Sequence, residues 1–233
     1  MRPPGFFVRY GTVSYLNARP LVEGLEPLVS ATPAELVDLF ERGDVDVALL
    51  PVAAGEGAGL TRVGSLGVAA DGPVDSVLLF LRCELAEIET IALDPDSRTS
   101  KVLAELYLRE ARGLTPRRVA PPADAELVIG DAALVRGAGP EPRLDLADAW
   151  RRWTGLPFVF AAWYGDSAAA PALEEAFSRG RARIPAYARE AGLGLGAPVL
   201  ERYLRERIRH RLGAAELDGL RLFVEKARAL ALL

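Results

Sequence analysis

Two long apolar runs do most to limit how this chain folds: Ser76-Val77-Leu78-Leu79-Phe80-Leu81 and Pro157-Phe158-Val159-Phe160-Ala161-Ala162-Trp163. Each is short, unbroken and rich in β-branched or aromatic residues, the pattern of a strand buried on both faces. Strand-like and helix-like segments alternate between them, so they bracket a self-contained α/β unit. The chain is therefore expected to leave a first lobe, build a second and return. Residues 1–79 and 161–233 would form lobe 1 and residues 80–160 lobe 2. Strands near 76–82 and 157–163 would cross between the lobes as a hinge, with a ligand cleft between them.

The flanking sequence carries the same alternation. Residues 6–13 and Val45-Asp46-Val47-Ala48-Leu49-Leu50-Pro51-Val52 read as strands. Between them Thr32 caps a helix that opens on Pro33 and stops at Gly43. Further strands are expected at 63–69, 90–93, 117–120 and 125–130, and further helices at 101–110 and 145–154. Everything from Ala168 onward reads as helix. The fold class is α/β, with mostly parallel sheets.

With 233 residues, half of them hydrophobic, the chain has enough apolar material for a large core. It has no apolar run of about eighteen residues, so no membrane span or membrane partner is expected. Met1-Arg2-Pro3-Pro4-Gly5 lacks the apolar stretch of a secretory signal, which implies a cytoplasmic protein. A single cysteine, Cys83, agrees with a reducing compartment. Of 28 basic residues only Lys101 and Lys226 are lysines, and the net charge is −4 with no basic block. Nucleic acid is thus an unexpected partner. One histidine and one cysteine, far apart, make no metal site. His210 lies among arginines in Arg205-Glu206-Arg207-Ile208-Arg209-His210-Arg211, which reads as a solvated helix face.

Hydrogen-bonding groups concentrate in a few loops beside strand ends, where α/β folds place ligand contacts. Ser14, Tyr15, Asn17 and Arg19 follow the first strand. In Asp94-Pro95-Asp96-Ser97-Arg98-Thr99-Ser100 a strand passes into a helix whose free N–H groups and dipole favour an anion. Ser97, Thr99 and Ser100 add hydroxyls there, and Arg98 adds a fork for a carboxylate. Helix capping accounts for Ser14 or Asn17 equally well, whereas capping by Ser97 or Ser100 goes together with anion binding there. Gly130-Asp131-Ala132-Ala133 forms a third loop, in which Asp131 is better placed to cap than to act as a base.

These blocks together carry a resemblance. Val13-Ser14-Tyr15-Leu16-Asn17 with Pro20-Leu21, the run from Asp46 to Val52, Ala70-Asp71-Gly72-Pro73-Val74-Asp75-Ser76-Val77, Leu93 to Ser100, and Ile129 to Leu134 are similar to the chorismate dehydratases of the futalosine route to menaquinone. The similarity runs over residues 7–165 and weakens in the tail. It implies a two-lobed fold like the type II periplasmic binding proteins and a hydro-lyase that converts chorismate to 3-[(1-carboxyvinyl)oxy]benzoate. It implies no metal and no cofactor. The expected partner is a dianionic small molecule, and the oligomeric state is left open. Asn17 and Ser76 are the expected catalytic residues. Ser14, Tyr15, Ser97, Arg98, Thr99, Ser100, Gly130, Asp131 and Trp163 are the expected substrate contacts. Two alternatives stay open. One is the sibling enzyme that makes 1,4-dihydroxy-6-naphthoate, which relies on a histidine in its cleft. The other is a non-catalytic anion-binding module.

Overall fold

The computed structural model describes residues 7–233. Its strands are β1 (Tyr10–Val13), β2 (Leu28–Ala31), β3 (Val47–Pro51), β4 (Arg62–Ala70), β5 (Val77–Leu81), β6 (Thr90–Ala92), β7 (Arg117–Arg118), β8 (Ala125–Ile129), β9 (Arg143–Asp145), β10 (Phe158–Gly165) and β11 (Arg209–Arg211). Its helices are α1 (Pro33–Glu41), α2 (Val52–Gly57), α3 (Thr99–Leu106), α4 (Gly130–Gly137), α5 (Leu146–Thr154), α6 (Ala170–Ala182), α7 (Ile184–Glu190), α8 (Ala197–Arg202) and α9 (Ala214–Ala229). The strands form a six-stranded sheet, β11-β4-β10-β3-β1-β2, and a five-stranded sheet, β7-β6-β8-β5-β9.

Local chemistry explains several boundaries. Thr32 caps α1 through a reciprocal capping box with Glu35, and Pro33 sits at the first helical position. Gly43 follows with φ +74°. Asp145 caps α5 by accepting from the N–H groups of Ala147 and Asp148. The apolar run at 45–52 becomes β3, buried along its whole length. Phe6, expected in the first strand, lies outside the described residues. β1 begins only at Tyr10, where main-chain pairing with β2 and β3 starts.

Three expectations differ from the fold. Both sheets are mixed, because β10 runs antiparallel to β3 and β4, and β5 antiparallel to β8 and β9. The strands that return to a sheet from the other one enter it reversed, which apolar patterning does not encode. Second, β5 and β10 each belong to one sheet, so the chain passes between sheets in the loops 71–76 and 155–157. Third, the tail is not wholly helical. Arg209–Arg211 pairs antiparallel with β4, and His210 lies buried between two exposed arginines.

The two sheets share one apolar core. Its densest part is a chain of edge-to-face rings. Trp150 of α5 meets Phe158 of β10 at 5.4 Å and Phe223 of α9 at 6.3 Å, and Phe158 meets Phe223 at 5.0 Å. Helix α9 thus straps the second sheet's helices to the first sheet. A Cβ on Gly219 would run into the Pro157 carbonyl, which lets α9 lie directly against the returning loop.

Candidate active site

A narrow cleft of about 70 Å³ opens between the two sheets. Its first-lobe wall starts where β1 ends. The chain turns through a tight helical segment, Leu16–Leu21, that buries Leu16, Ala18 and Leu21 and brings Asn17 to the cleft. Ser76, at the end of the first crossing loop, stands beside it. The Asn17 amide donates from Nδ2 to the Tyr203 hydroxyl at 3.1 Å, and Tyr203 donates to Ser76 Oγ at 2.9 Å. Burial pushes the Tyr203 phenol well above its ordinary proton affinity, so it stays protonated. Pro33, Val68 and Phe160 supply apolar surface.

The opposite wall is the start of α3. Ser97, Arg98, Thr99 and Ser100 all line the cleft. The Ser97 hydroxyl accepts from the Lys101 N–H at 3.2 Å, closing the first turn. Thr99 Oγ1 accepts from Ala53 N–H at 3.2 Å and donates to the Phe160 carbonyl at 3.0 Å. Its hydroxyl therefore latches the walls together, and its one proton is committed. Ser100 Oγ has no hydrogen-bond partner among the described residues. Arg98 is at the N-cap position of α3 and forms no ion pair or side-chain hydrogen bond among them. A guanidinium at the positive end of a helix suits an anion.

Gly130 and Tyr15 close a third side. Gly130 has φ +65°, and a Cβ there would stand 2.5 Å from the Tyr15 ring. Only glycine lets the aromatic ring lie on this backbone. Burial, then the neighbouring Asp94, Asp96 and Asp131, hold the Tyr15 phenol protonated. Asp131 accepts from Leu16 N–H at 3.0 Å and does not line the cleft. Its carboxylate ties α4 to the Leu16–Leu21 turn, and burial raises its proton affinity.

The structure thus brings Asn17, Ser76, Tyr15, Ser97, Arg98, Thr99, Ser100 and Gly130 to one cleft and leaves three expected contacts outside it. Ser14 is exposed, with its hydroxyl toward the Ala31 carbonyl at 3.5 Å. Asp131 is committed to the backbone as above. Trp163 is fully buried in the first sheet, because Phe160 and Ala161 occupy the part of β10 that reaches the cleft. His210 also departs from expectation. It is buried on β11, packs against Phe177 and donates from Nε2 to the Asn17 carbonyl at 2.8 Å. Burial lowers its pKa to about 4, so the ring is neutral at physiological pH.

Sequence reasoning missed Tyr203 and the placement of His210. A signal existed for the second: Ile208, His210 and Leu212 are buried while Arg209 and Arg211 are exposed, a period of two. Tyr203 carries no comparable local mark.

A chorismate dehydratase of Thermus thermophilus is 31% identical, with 93% of this chain and 92% of that protein covered. A protein of Archaeoglobus fulgidus of known crystal structure superposes with a TM-score of 0.74 at 16% identity, covering 97% of this chain and 98% of that one. The periplasmic aliphatic sulphonate binding protein of Escherichia coli superposes with a TM-score of 0.63 at 18% identity, covering 96% and 86%. The fold is therefore that of the periplasmic binding proteins. The profile of a family described by menaquinone biosynthesis matches residues 8–229, and the chain belongs to that menaquinone-biosynthesis family.

Proposed function

We propose that this protein removes water from chorismate to give 3-[(1-carboxyvinyl)oxy]benzoate, in the route to menaquinone. The observation that carries the reading is the uncommitted Arg98 guanidinium at the start of α3, facing a wall of neutral hydrogen-bonding groups that includes Asn17 and Ser76. Chorismate has two carboxylates, and such a site receives one of them while the opposite wall orients the ring. The Thermus relative carries the same activity in its name.

The reaction breaks the C3–H bond and the C4–O bond, and the C–H electron pair becomes the new ring double bond. Aromaticity makes the step strongly downhill, so catalysis needs orientation, an acceptor for the C3 proton and a partner for the departing hydroxyl. Among the described cleft residues there is no carboxylate, imidazole, thiol or amine. Burial holds the Tyr15 phenol protonated, and the Arg98 guanidinium offers donors only. The base is then the substrate's own enolpyruvyl carboxylate. Asn17 holds the C4 hydroxyl and the conformer in which that carboxylate reaches C3. Ser76 donates to a carboxylate.

Incubation of the purified protein with chorismate, followed by ultraviolet absorbance and mass spectrometry, is expected to yield the aromatic product. A chorismate analogue lacking the enolpyruvyl carboxylate is expected to bind without reacting. Turnover of that analogue removes the substrate-base mechanism. Chorismate that binds but is not converted favours an anion-binding module.

A further inference from the structure

The catalytic wall ends in a hydrogen-bond relay whose middle member comes from the far end of the chain. Tyr203 opens a wide helical turn, Tyr203–Arg207, after α8. Its ring is buried and does not line the cleft, so substrate in the cleft does not touch it. Its hydroxyl lies between the two residues assigned to the chemistry, receiving a proton from Asn17 Nδ2 and giving its own to Ser76 Oγ.

A phenol has only one proton, so this order has consequences at both ends. Ser76 Oγ already accepts from Tyr203, and its own proton goes to no described residue. Asn17 points one N–H at Tyr203, and its Oδ1 accepts from no described residue. Ser76 therefore offers a donor, and Asn17 offers its Oδ1 as an acceptor beside its second Nδ2–H. The main chain of Asn17 is held by the same stretch of tail, through the His210 Nε2–H at 2.8 Å.

We propose that Tyr203 is a positioning residue whose hydroxyl sets the polarity of the Asn17–Tyr203–Ser76 relay, so that Ser76 presents its proton and Asn17 its carbonyl to the substrate. The proposal rests on the dehydratase reading above. A donor suits a substrate carboxylate, and an acceptor suits the C4 hydroxyl. With the relay reversed, Ser76 would turn a lone pair toward an anion and Asn17 would commit one lone pair of its Oδ1 to Tyr203. The two ends of an amide are nearly equal in shape, so packing alone does not choose between them. A hydrogen-bonding neighbour does: a phenol that gives its one proton to Ser76 is left to accept, so it takes the amide N–H and not the amide oxygen.

The test is Tyr203→Phe in the full-length protein, which keeps the ring and its packing and removes the hydroxyl. The variant is expected to stay folded by circular dichroism. Its kcat should fall about ten- to a hundredfold, the scale of a misoriented reacting group, while KM changes less than about threefold. A role in packing alone would lower the melting temperature and leave kcat unchanged at temperatures well below it. The double variant with Ser76→Ala supplies an independent readout. Its loss should be smaller than the product of the two single losses, because both act through one relay. Wild-type kcat in the folded Tyr203→Phe variant overturns the proposal, as do independent, multiplicative losses. Absence of product from the wild-type protein overturns the dehydratase reading itself.

Discussion

At the scale of single residues, the site depends on which polar groups have been used up by the fold. Thr99 and Ser100 are neighbours of similar chemistry in the same helical turn, yet Thr99 is bonded on both sides and Ser100 is open. Arg98 is free where most of the chain's other arginines are paired with carboxylates. An arginine–carboxylate contact contributes about 1.5–3 kcal/mol, which is roughly ten- to a hundredfold in affinity. Arg98→Gln is therefore expected to raise KM for chorismate by about that factor with a smaller change in kcat. Steady-state kinetics check this, and an unchanged KM would show that the anion binds elsewhere. The residue types in 94–100 marked the loop as an anion site. Their separation into latch, cap and receptor was not legible, because it depends on Ala53 and Phe160, distant in sequence.

At the scale of elements, α9 ties the second sheet's helices to the first sheet without lining the cleft. Phe223 is fully buried where α9 meets Trp150 and Phe158. Lys226 of the same helix sits 4.8 Å over the Trp153 ring and pairs with Glu110. Truncation of such a buried ring costs about 3–5 kcal/mol, a large share of a domain's total stability. Phe223→Ala should lower the urea midpoint accordingly, and a loss below about 1 kcal/mol would mean that α9 does not bind the sheets together. The apolar spacing of 217–233 announced a helix that packs on something. It did not announce what, since an amphipathic stripe has no address.

At the scale of the whole molecule, the tail returns to support the loop that follows the first strand, and this closure carries a pH dependence. His210 has a pKa of 6.5 in the open chain and about 4 when folded, because burial disfavours the imidazolium. Between those values the unfolded chain binds more protons than the folded one. Stability from this group is complete above pH 6.5 and falls as the pH drops toward 4. The slope is at most about 1.4 kcal/mol per pH unit. His210→Gln keeps a neutral donor for the Asn17 carbonyl and removes the titration. Its stability between pH 6.5 and 4 should fall less steeply than that of the wild-type protein in urea titrations. Asp145, raised to about 6 by burial, acts in the opposite sense and is common to both proteins, so the difference isolates His210. Parallel slopes would place the titration elsewhere.

By itself the sequence determined what is local: the capped helix after Thr32, the buried strand at 47–51, the turn at 97–100 that opens α3, and the motif blocks that identify the family. These follow from periodicity, capping chemistry and short-range order, all of which act within one turn or one strand. Only the tertiary structure decided that the sheets are mixed, that Trp163 is core, that Ser14 faces solvent, and that Tyr203 and His210 converge on Asn17 from 186 and 193 residues away. Arg209 and Arg211 made β11 look like a solvated helix, since a strand at a sheet edge exposes one face and charge there hides the buried histidine between. The hydrogen bonds of Asn17 depend on such contacts between distant segments, and no local pattern encodes them.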